Sequence, residues 1–188
     1  MTVSGSPHAP RHFATLLTHT DLVRLVRCAL DAGPRQSSGL SAGEPAAVLQ
    51  LLDRHNRDCA VVAERLGVPH LVAPALVPAS PFEVVEVKRR KRWQEVALWW
   101  PEQRALVVAE EVGTNRFFTG GRSAVGVHLL LRLTPPKVLG SPEPEHLLVG
   151  HGEGLHGPET VAALREALRH SRRDLPRLLA TLPFSARR

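Results

Sequence analysis

The stretch EVALWWPEQRALVVAEEVG, residues 95–113, is the clearest indication of secondary structure in the middle of the chain. Two apolar runs flank the segment PEQR, and Pro101 begins this segment, so the pattern predicts two strands joined by a tight turn. The preceding segment FEVVEV, residues 82–87, alternates apolar and acidic side chains, which is typical of a strand with one exposed face. The middle of the chain is therefore predicted to be β-rich.

On the N-terminal side of this region the pattern alternates between strands and a helix. Residues 22–34 and 46–52 are apolar runs that predict strands, although a helical turn also fits the second run. A helical pattern begins at Asp58, a candidate N-cap, and ends at Gly67. Residues 70–73, HLVA, then predict a further strand.

On the C-terminal side, residues 127–133 fit either a helix or a strand. The segment HLLV, residues 146–149, predicts a short strand that runs into a loop rich in glycine and histidine. Residues 157–173 form an amphipathic helical pattern with Pro158 at its start. Alternating strands and helices, with hairpins between them, predict an α/β protein around a single core.

Length and composition fit one globular domain. The chain has 188 residues, of which 43% are hydrophobic and 22% are charged. We expect a partly disordered N-terminal tail at 1–20, one domain at 21–175 and a basic C-terminal tail at 176–188. The sequence contains neither a signal-peptide pattern nor an apolar run long enough to cross a bilayer, so we expect a cytoplasmic protein with no membrane partner.

The net charge of +6 raises the question of a nucleic-acid partner. Every basic residue except Lys88, Lys91 and Lys137 is arginine, a usage typical of GC-rich coding sequences. The chain has three Trp, five Phe and no Tyr, so few rings are available to stack on bases. The composition therefore argues against nucleic-acid binding.

The segment LLDRHNRDCAVVAERLG, residues 51–67, concentrates potential ligand side chains directly ahead of the predicted helix. It fits a metal site, the remains of one, or an ordinary polar loop. Asp58 fits equally well as a helix N-cap, and Cys59 fits a small buried hydrophobic residue better than a ligand.

Several of these segments, in this order, resemble the metallo-β-lactamase fold. Residues 95–113 are similar to the family's strand, turn and strand of the form S-V-A-L-W-x-P-E-x-x-x-L-x-x-G-D. LLVGHGEGLHG, residues 147–157, is similar to its V-x-P-G-H-G-x-x-x-x-G loop, and Asp-Ala-Gly at 31–33 is similar to its Asp-Thr-Gly strand end. The resemblance covers residues 29–157, including the strand, polar loop and helix at 46–67. It implies an α+β, four-layer αββα sandwich with a shortened N-terminal half.

In that family, two zinc ions are bound by the motif His-x-His-x-Asp-His together with two further histidines and a bridging aspartate. The resemblance places the motif's first two histidines at Arg54 and Asn56. It places the third histidine of the first zinc site at Lys91, and leaves open which of residues 88–92 occupies this position. Arginine has no lone pair to offer, and Asn and protonated Lys replace imidazole poorly. We therefore expect the first zinc site to be lost.

The second zinc site is altered less. The resemblance places its ligands at four residues that can all bind zinc chemically, namely Asp58, Cys59, Glu110 and His151. One zinc ion therefore stays an alternative, with Asp58 orienting a metal-bound water. Against it, Arg54 and Lys91 are expected to bring positive charge beside the carboxylates, where they would compensate them and repel a dication. We accordingly expect no cofactor.

Three function classes follow. We favour a non-catalytic relative of the hydrolases that binds a small anion in a pocket formed by Arg54, Asn56, Lys91 and His151. The first alternative is a one-zinc hydrolase of a thioester, lactone or phosphoester. The second is an interaction protein that uses its basic surface.

Overall fold

The computed structural model describes residues 12–16, 45–54, 58–91 and 93–181, with side-chain surroundings for those between 45 and 176. It contains both helices and strands, as expected of an α/β protein. The strand predicted at 22–34, with its Asp-Ala-Gly end, lies outside the described residues. Within the described chain, no helix is long and apolar enough to cross a membrane.

The described strands and helices follow the predicted alternation. The strands are β1 His12–Leu16, β2 Pro45–Gln50, β3 His70–Val72, β4 Glu83–Arg90, β5 Trp93–Trp100, β6 Ala105–Val108, β7 Val112–Gly113, β8 Gly126–Val127, β9 His146–Val149 and β10 Leu155–His156. The helices are α1 Cys59–Leu66, α2 Arg116–Thr119 and α3 Thr160–Thr181.

The larger sheet has five strands in the order β10-β9-β6-β5-β4. β5 and β6 pair in the antiparallel sense, with Leu98 opposite Val107, which confirms the hairpin predicted from residues 95–113. β6 pairs with β9 in the parallel sense. Because the carboxyl ends of parallel strands lie at the same edge of a sheet, residues that follow β6 and β9 come close together.

The smaller sheet has three parallel strands in the order β1-β2-β3, and β7 pairs with β8 in a separate ribbon. The strands predicted at 46–52 and 70–73 are confirmed as β2 and β3, with α1 between them in sequence. Just after β2, a bridge between Leu52 and Glu95 connects this part of the chain to β5.

The side chains of β2 alternate between two hydrophobic clusters, as expected of a strand buried on both faces. Leu49 and Leu51 pack with Val96 and Leu98 of the five-stranded sheet. Val48 points to the other side and packs with residues of α1. The two sheets therefore share one layer of apolar side chains, and α1 covers the opposite face of the smaller sheet.

The five-stranded sheet also buries both of its faces. Ala97, Leu106 and Val108 belong to a second cluster, together with Leu164 and Leu168 of α3. The amphipathic pattern predicted at 157–173 is thus confirmed as a helix, and its apolar face lies against the sheet face that points away from β2.

Several local details differ from the sequence expectations. Asp58 occupies the N-cap position of α1, but its side chain forms no capping hydrogen bond, since its backbone (φ −100°, ψ 4°) is not extended. The ambiguous segment 127–133 contains the end of β8 and a 3₁₀ turn at Leu129–Leu131. α3 extends to Thr181.

Candidate functional site

The parallel pairing of β6 and β9 brings a carboxylate and an imidazole together. Glu110 and His151 each follow the last residue of their strand by two positions. His151 Nε2 lies 2.8 Å from Glu110 Oε2, within hydrogen-bond distance. Phe118 stacks on the His151 ring, with 5.3 Å between the ring centres and an angle of 24° between the planes.

His128, which follows β8, extends this pair. Its Nε2 lies 3.4 Å from Glu110 Oε1, so the two oxygens of Glu110 face two different histidines. Burial lowers the pKa of His128, and the negative charge of Glu110 acts in the opposite direction. The rings of Trp93 and Phe118 form T-shaped pairs with His128, with 5.9 and 5.6 Å between the ring centres.

Two further glutamates are buried directly behind this group. Glu95 accepts hydrogen bonds from the backbone N–H groups of Glu110 and Glu111, at 2.8 and 3.2 Å, and from Trp93 Nε1 at 3.1 Å. Burial raises the pKa of Glu95. Burial and the nearby charge of Glu95 raise the pKa of Glu111 to about 8, while Lys88 acts against this rise. At neutral pH Glu111 therefore carries less negative charge than an ordinary carboxylate.

Two positively charged side chains, Arg54 and Lys88, lie against the ring of Trp93. The guanidinium carbon of Arg54 is 3.9 Å from the ring centre, and Lys88 Nζ is 4.5 Å from it. Lys88 Nζ also lies 3.9 Å from Glu111 Oε1. The β4–β5 register shifts by one residue between Glu86 and Lys88, and such bulges re-aim side chains next to functional sites.

Beside these cations is an open cavity of about 340 Å³. It is lined by Arg54, Lys88, Arg90, Trp93, Leu130, Leu131 and Thr134. All three charged residues of this lining are cations. Arg54 and Arg90 form no ion pair with any residue that the structure describes. We call this space the cationic cavity.

The structure places the residues expected at the first zinc site as follows. Arg54 lines the cationic cavity. Lys91 lies in the turn after β4 and is exposed, whereas Lys88, from the same 88–92 stretch, is the lysine that reaches the site. Lys91 is at the tip because β4 extends to Arg90 before the chain turns. Asn56 lies outside the described residues.

Of the residues expected at the second zinc site, the structure brings Glu110 and His151 into contact. The side chain of Asp58 is exposed. Cys59 is buried among apolar residues between α1 and β2, and this burial raises the pKa of its thiol. In the described part of the chain, no three His, Cys, Asp or Glu side chains are grouped so that they could hold a metal ion.

The His128 imidazole lies in the field of one carboxylate and of two side-chain cations. The carboxylate of Glu110 faces two imidazoles; burial is the main cause that lowers the pKa of His128, and the positive charges of Arg54 and Lys88 lower it further. A dication placed beside His128 would be repelled by Arg54 and Lys88 and attracted by Glu110.

Sequence reasoning did not select Trp93, Glu95, Glu111 or His128 as site residues. One signal was available for Glu95, because a glutamate inside an otherwise apolar strand must find partners when the strand is buried. Trp93 and Glu95 are two residues apart on β5 and therefore lie on the same face. The sequence around His128 contains no such signal, because its partner Glu110 follows a different strand, β6, and only the tertiary structure brings the two together.

Comparison with protein-family models and with curated proteins gives no match for this chain. Its function therefore has to be inferred from the chemistry of the site.

Proposed function

We propose that the protein is a metallo-β-lactamase-fold relative without zinc, and that it binds a small anion in the cationic cavity. The proposal rests on the position of Arg54 and Lys88 against the Trp93 ring. In the part of the chain that the structure describes, these two cations and Arg90 are the only charged residues that line the cavity. The proposal assigns binding and no reaction.

The packing of the layers supports the family assignment. α1 packs on one face of the three-stranded sheet, the two sheets pack on each other, and α3 packs on the far face of the five-stranded sheet. This order is the one expected of an αββα sandwich. The contact between Glu110 and His151 also agrees with the positions that the resemblance assigns to the bridging aspartate and the last histidine.

Electrostatics supports an anionic ligand. One cation about 4 Å from an anion contributes roughly 4 kcal/mol of attraction near a protein surface, before the cost of removing water. Two arginines add planar donor groups that match the oxygens of a phosphate or carboxylate. Because Trp93 already holds Arg54 in place, little side-chain freedom is lost when the anion binds.

The proposal is tested by calorimetric titration of the purified protein with inorganic phosphate at constant ionic strength. We expect saturable binding, and we expect Arg54→Gln and Arg90→Gln each to weaken it by about tenfold or more, since each removes a charged donor. Arg89→Gln is the matched control, because Arg89 is on the same strand but pairs with Glu86 at 2.7 Å. The absence of binding, or equal weakening by the control, would contradict the proposal.

Metal content separates this proposal from a one-zinc hydrolase. We expect the tag-free protein to retain less than about a tenth of an equivalent of zinc after incubation with excess zinc and desalting, given the repulsion from Arg54 and Lys88. One zinc per chain, lost in a folded His151→Ala variant, would overturn the proposal and favour the hydrolase. If the protein binds neither zinc nor phosphate, the third function class, an interaction protein, is the one that remains.

A further inference from the structure

The cationic cavity has an apolar side. Apart from Trp93 and Thr134, its uncharged lining consists of Leu130 and Leu131. Leu131 is buried to 3% exposure and packs in the cluster beneath α3, whereas Leu130 is 71% exposed. The cavity therefore offers a large apolar side chain to solvent next to three cations.

The position of Leu130 is determined by its neighbours in the chain. The 3₁₀ turn Leu129–Leu131 begins at His128, whose Nδ1 accepts a hydrogen bond from the Leu130 N–H at 3.3 Å. On the other side, Leu131 anchors the turn in the core. Because both ends are held, Leu130 presents its side chain at a defined place, and a ligand meets a preorganised apolar surface.

A single exposed leucine is common on protein surfaces and needs no explanation by itself. Leu130 differs because it lines the same cavity as Arg54, Lys88 and Arg90. A purely polar anion would satisfy the cations and leave this leucine in water. An anion with an aliphatic chain would satisfy the cations and also remove apolar surface of Leu130 from water.

We propose that the ligand of the cationic cavity is an amphiphilic anion, with its charged head group at Arg54 and Arg90 and a short aliphatic chain against Leu130. The inference rests on the proposed anion-binding function and names the ligand class. Alkyl phosphates and fatty carboxylates share this chemistry. The cavity of about 340 Å³ is at the small end of ligand sites, which favours a short chain.

The experiment compares inorganic phosphate with butyl phosphate and hexyl phosphate by calorimetry on the full chain. Each fully buried methylene group contributes about 0.8 kcal/mol, or about fourfold in affinity, and partial burial contributes less. We therefore expect hexyl phosphate to bind at least about tenfold more tightly than inorganic phosphate, with butyl phosphate between them. Hexanoate should gain similarly over acetate, because the chain acts independently of the head group.

Two variants separate the chain from the head group. Leu130→Ser should reduce the ratio of the hexyl phosphate affinity to the phosphate affinity by at least about threefold, since it removes the apolar contact. Arg54→Gln should weaken all members of the series. Leu76→Ser is the matched control, because Leu76 is 63% exposed and does not line the cavity, and it should leave the ratio unchanged.

The failure of this inference is distinguishable from the failure of the proposed function. If inorganic phosphate binds and hexyl phosphate binds no more tightly, the amphiphilic ligand is excluded and the anion site stands. The same conclusion follows if Leu130→Ser keeps the full chain-length gain. If neither compound binds, both proposals fall.

Discussion

Glu111 shows how a single buried group makes the stability of this protein depend on pH. Its side chain is almost fully buried and faces Glu95 and Lys88. Its pKa is about 8 in the folded state, above the ordinary value of 4.5, mainly because of burial. Between these two pH values the folded state keeps a proton that the unfolded state releases, so the free energy of unfolding falls as the pH rises.

Replacing Glu111 by glutamine should therefore flatten the decline of stability between pH 5 and pH 9. We expect the melting temperature of Glu111→Gln to fall by roughly 5 °C less than that of the wild type over this range. His128 titrates in the opposite sense, since its pKa is lowered, so the difference between the two proteins is the informative quantity. Scanning calorimetry measures it, with Glu102→Gln in an exposed turn as the control. The prediction would be wrong if the melting temperatures of the wild type and Glu111→Gln fell by the same amount over this pH range.

Gly152, next to His151, has a backbone conformation and close neighbours that leave no room for a side chain. Its φ of +106° is one that other residues rarely adopt, and a Cβ atom there would lie 2.2 Å from Thr114 Oγ1 and 2.5 Å from the Asn115 nitrogen. The His151 carbonyl oxygen accepts hydrogen bonds from the backbone N–H groups of Thr114 and Asn115, so the two loops are in close contact.

We expect Gly152→Ala to lower the free energy of unfolding by more than about 2 kcal/mol, because it combines backbone strain with a steric clash. Gly121→Ala is the matched control, since Gly121 also has a positive φ, +75°, but its nearest neighbouring atom would be 3.8 Å from the new Cβ. The control should lose only about 1 kcal/mol, and urea denaturation measures both. Equal losses would mean that strain alone matters.

At the scale of single elements, α3 stabilises the fold through one apolar face. Leu164 has 1% exposure and packs on the five-stranded sheet together with Leu168. We expect Leu164→Ala to lower the free energy of unfolding by about 2–5 kcal/mol, the range found for buried leucines. Leu76→Ala, at a position with 63% exposure, should change it by less than about 0.5 kcal/mol in the same urea titration. A loss below 1 kcal/mol for Leu164→Ala would contradict this packing.

The elements themselves were largely predictable, because strand and helix patterns repeat over a few residues. The β5–β6 hairpin, β2, β3 and α3 all follow from alternation, turn residues or a helical period. Segment 127–133 was ambiguous because a short apolar run contains no period, and its structure depends on the pairing of β8 with β7. The bulge that turns Lys88 toward Trp93 was equally unpredictable, since it depends on the register with β5.

At the scale of the whole molecule, the five-stranded sheet contributes residues to two hydrophobic clusters, one on each of its faces. One cluster joins it to β2 and the other joins it to α3, and Trp93 packs against both. A third cluster, between α1 and β2, is joined to this sheet through the other face of β2, so we expect the protein to unfold as one cooperative unit.

Paired core variants test this cooperativity. Leu98→Ala, in the cluster shared with β2, and Leu164→Ala, in the cluster beneath α3, should each lower the midpoint of the same transition. Circular dichroism in the far and near ultraviolet should give coincident unfolding curves for both variants. Separate transitions in either variant would indicate two units that unfold independently.

The sequence by itself determined the α/β class, the central hairpin and the helix α3, because these depend on patterns within short stretches of chain. Through the resemblance it also led to Arg54, Glu110 and His151 as candidate site residues. Only the tertiary structure decided that Lys88 rather than Lys91 reaches the site, and that Trp93 carries the two cations. The burial of Glu111 was likewise not predictable from the sequence. The physical reason is that these features arise where the ends of β2, β4, β6 and β9 meet, and strand register between distant segments sets which side chains face one another.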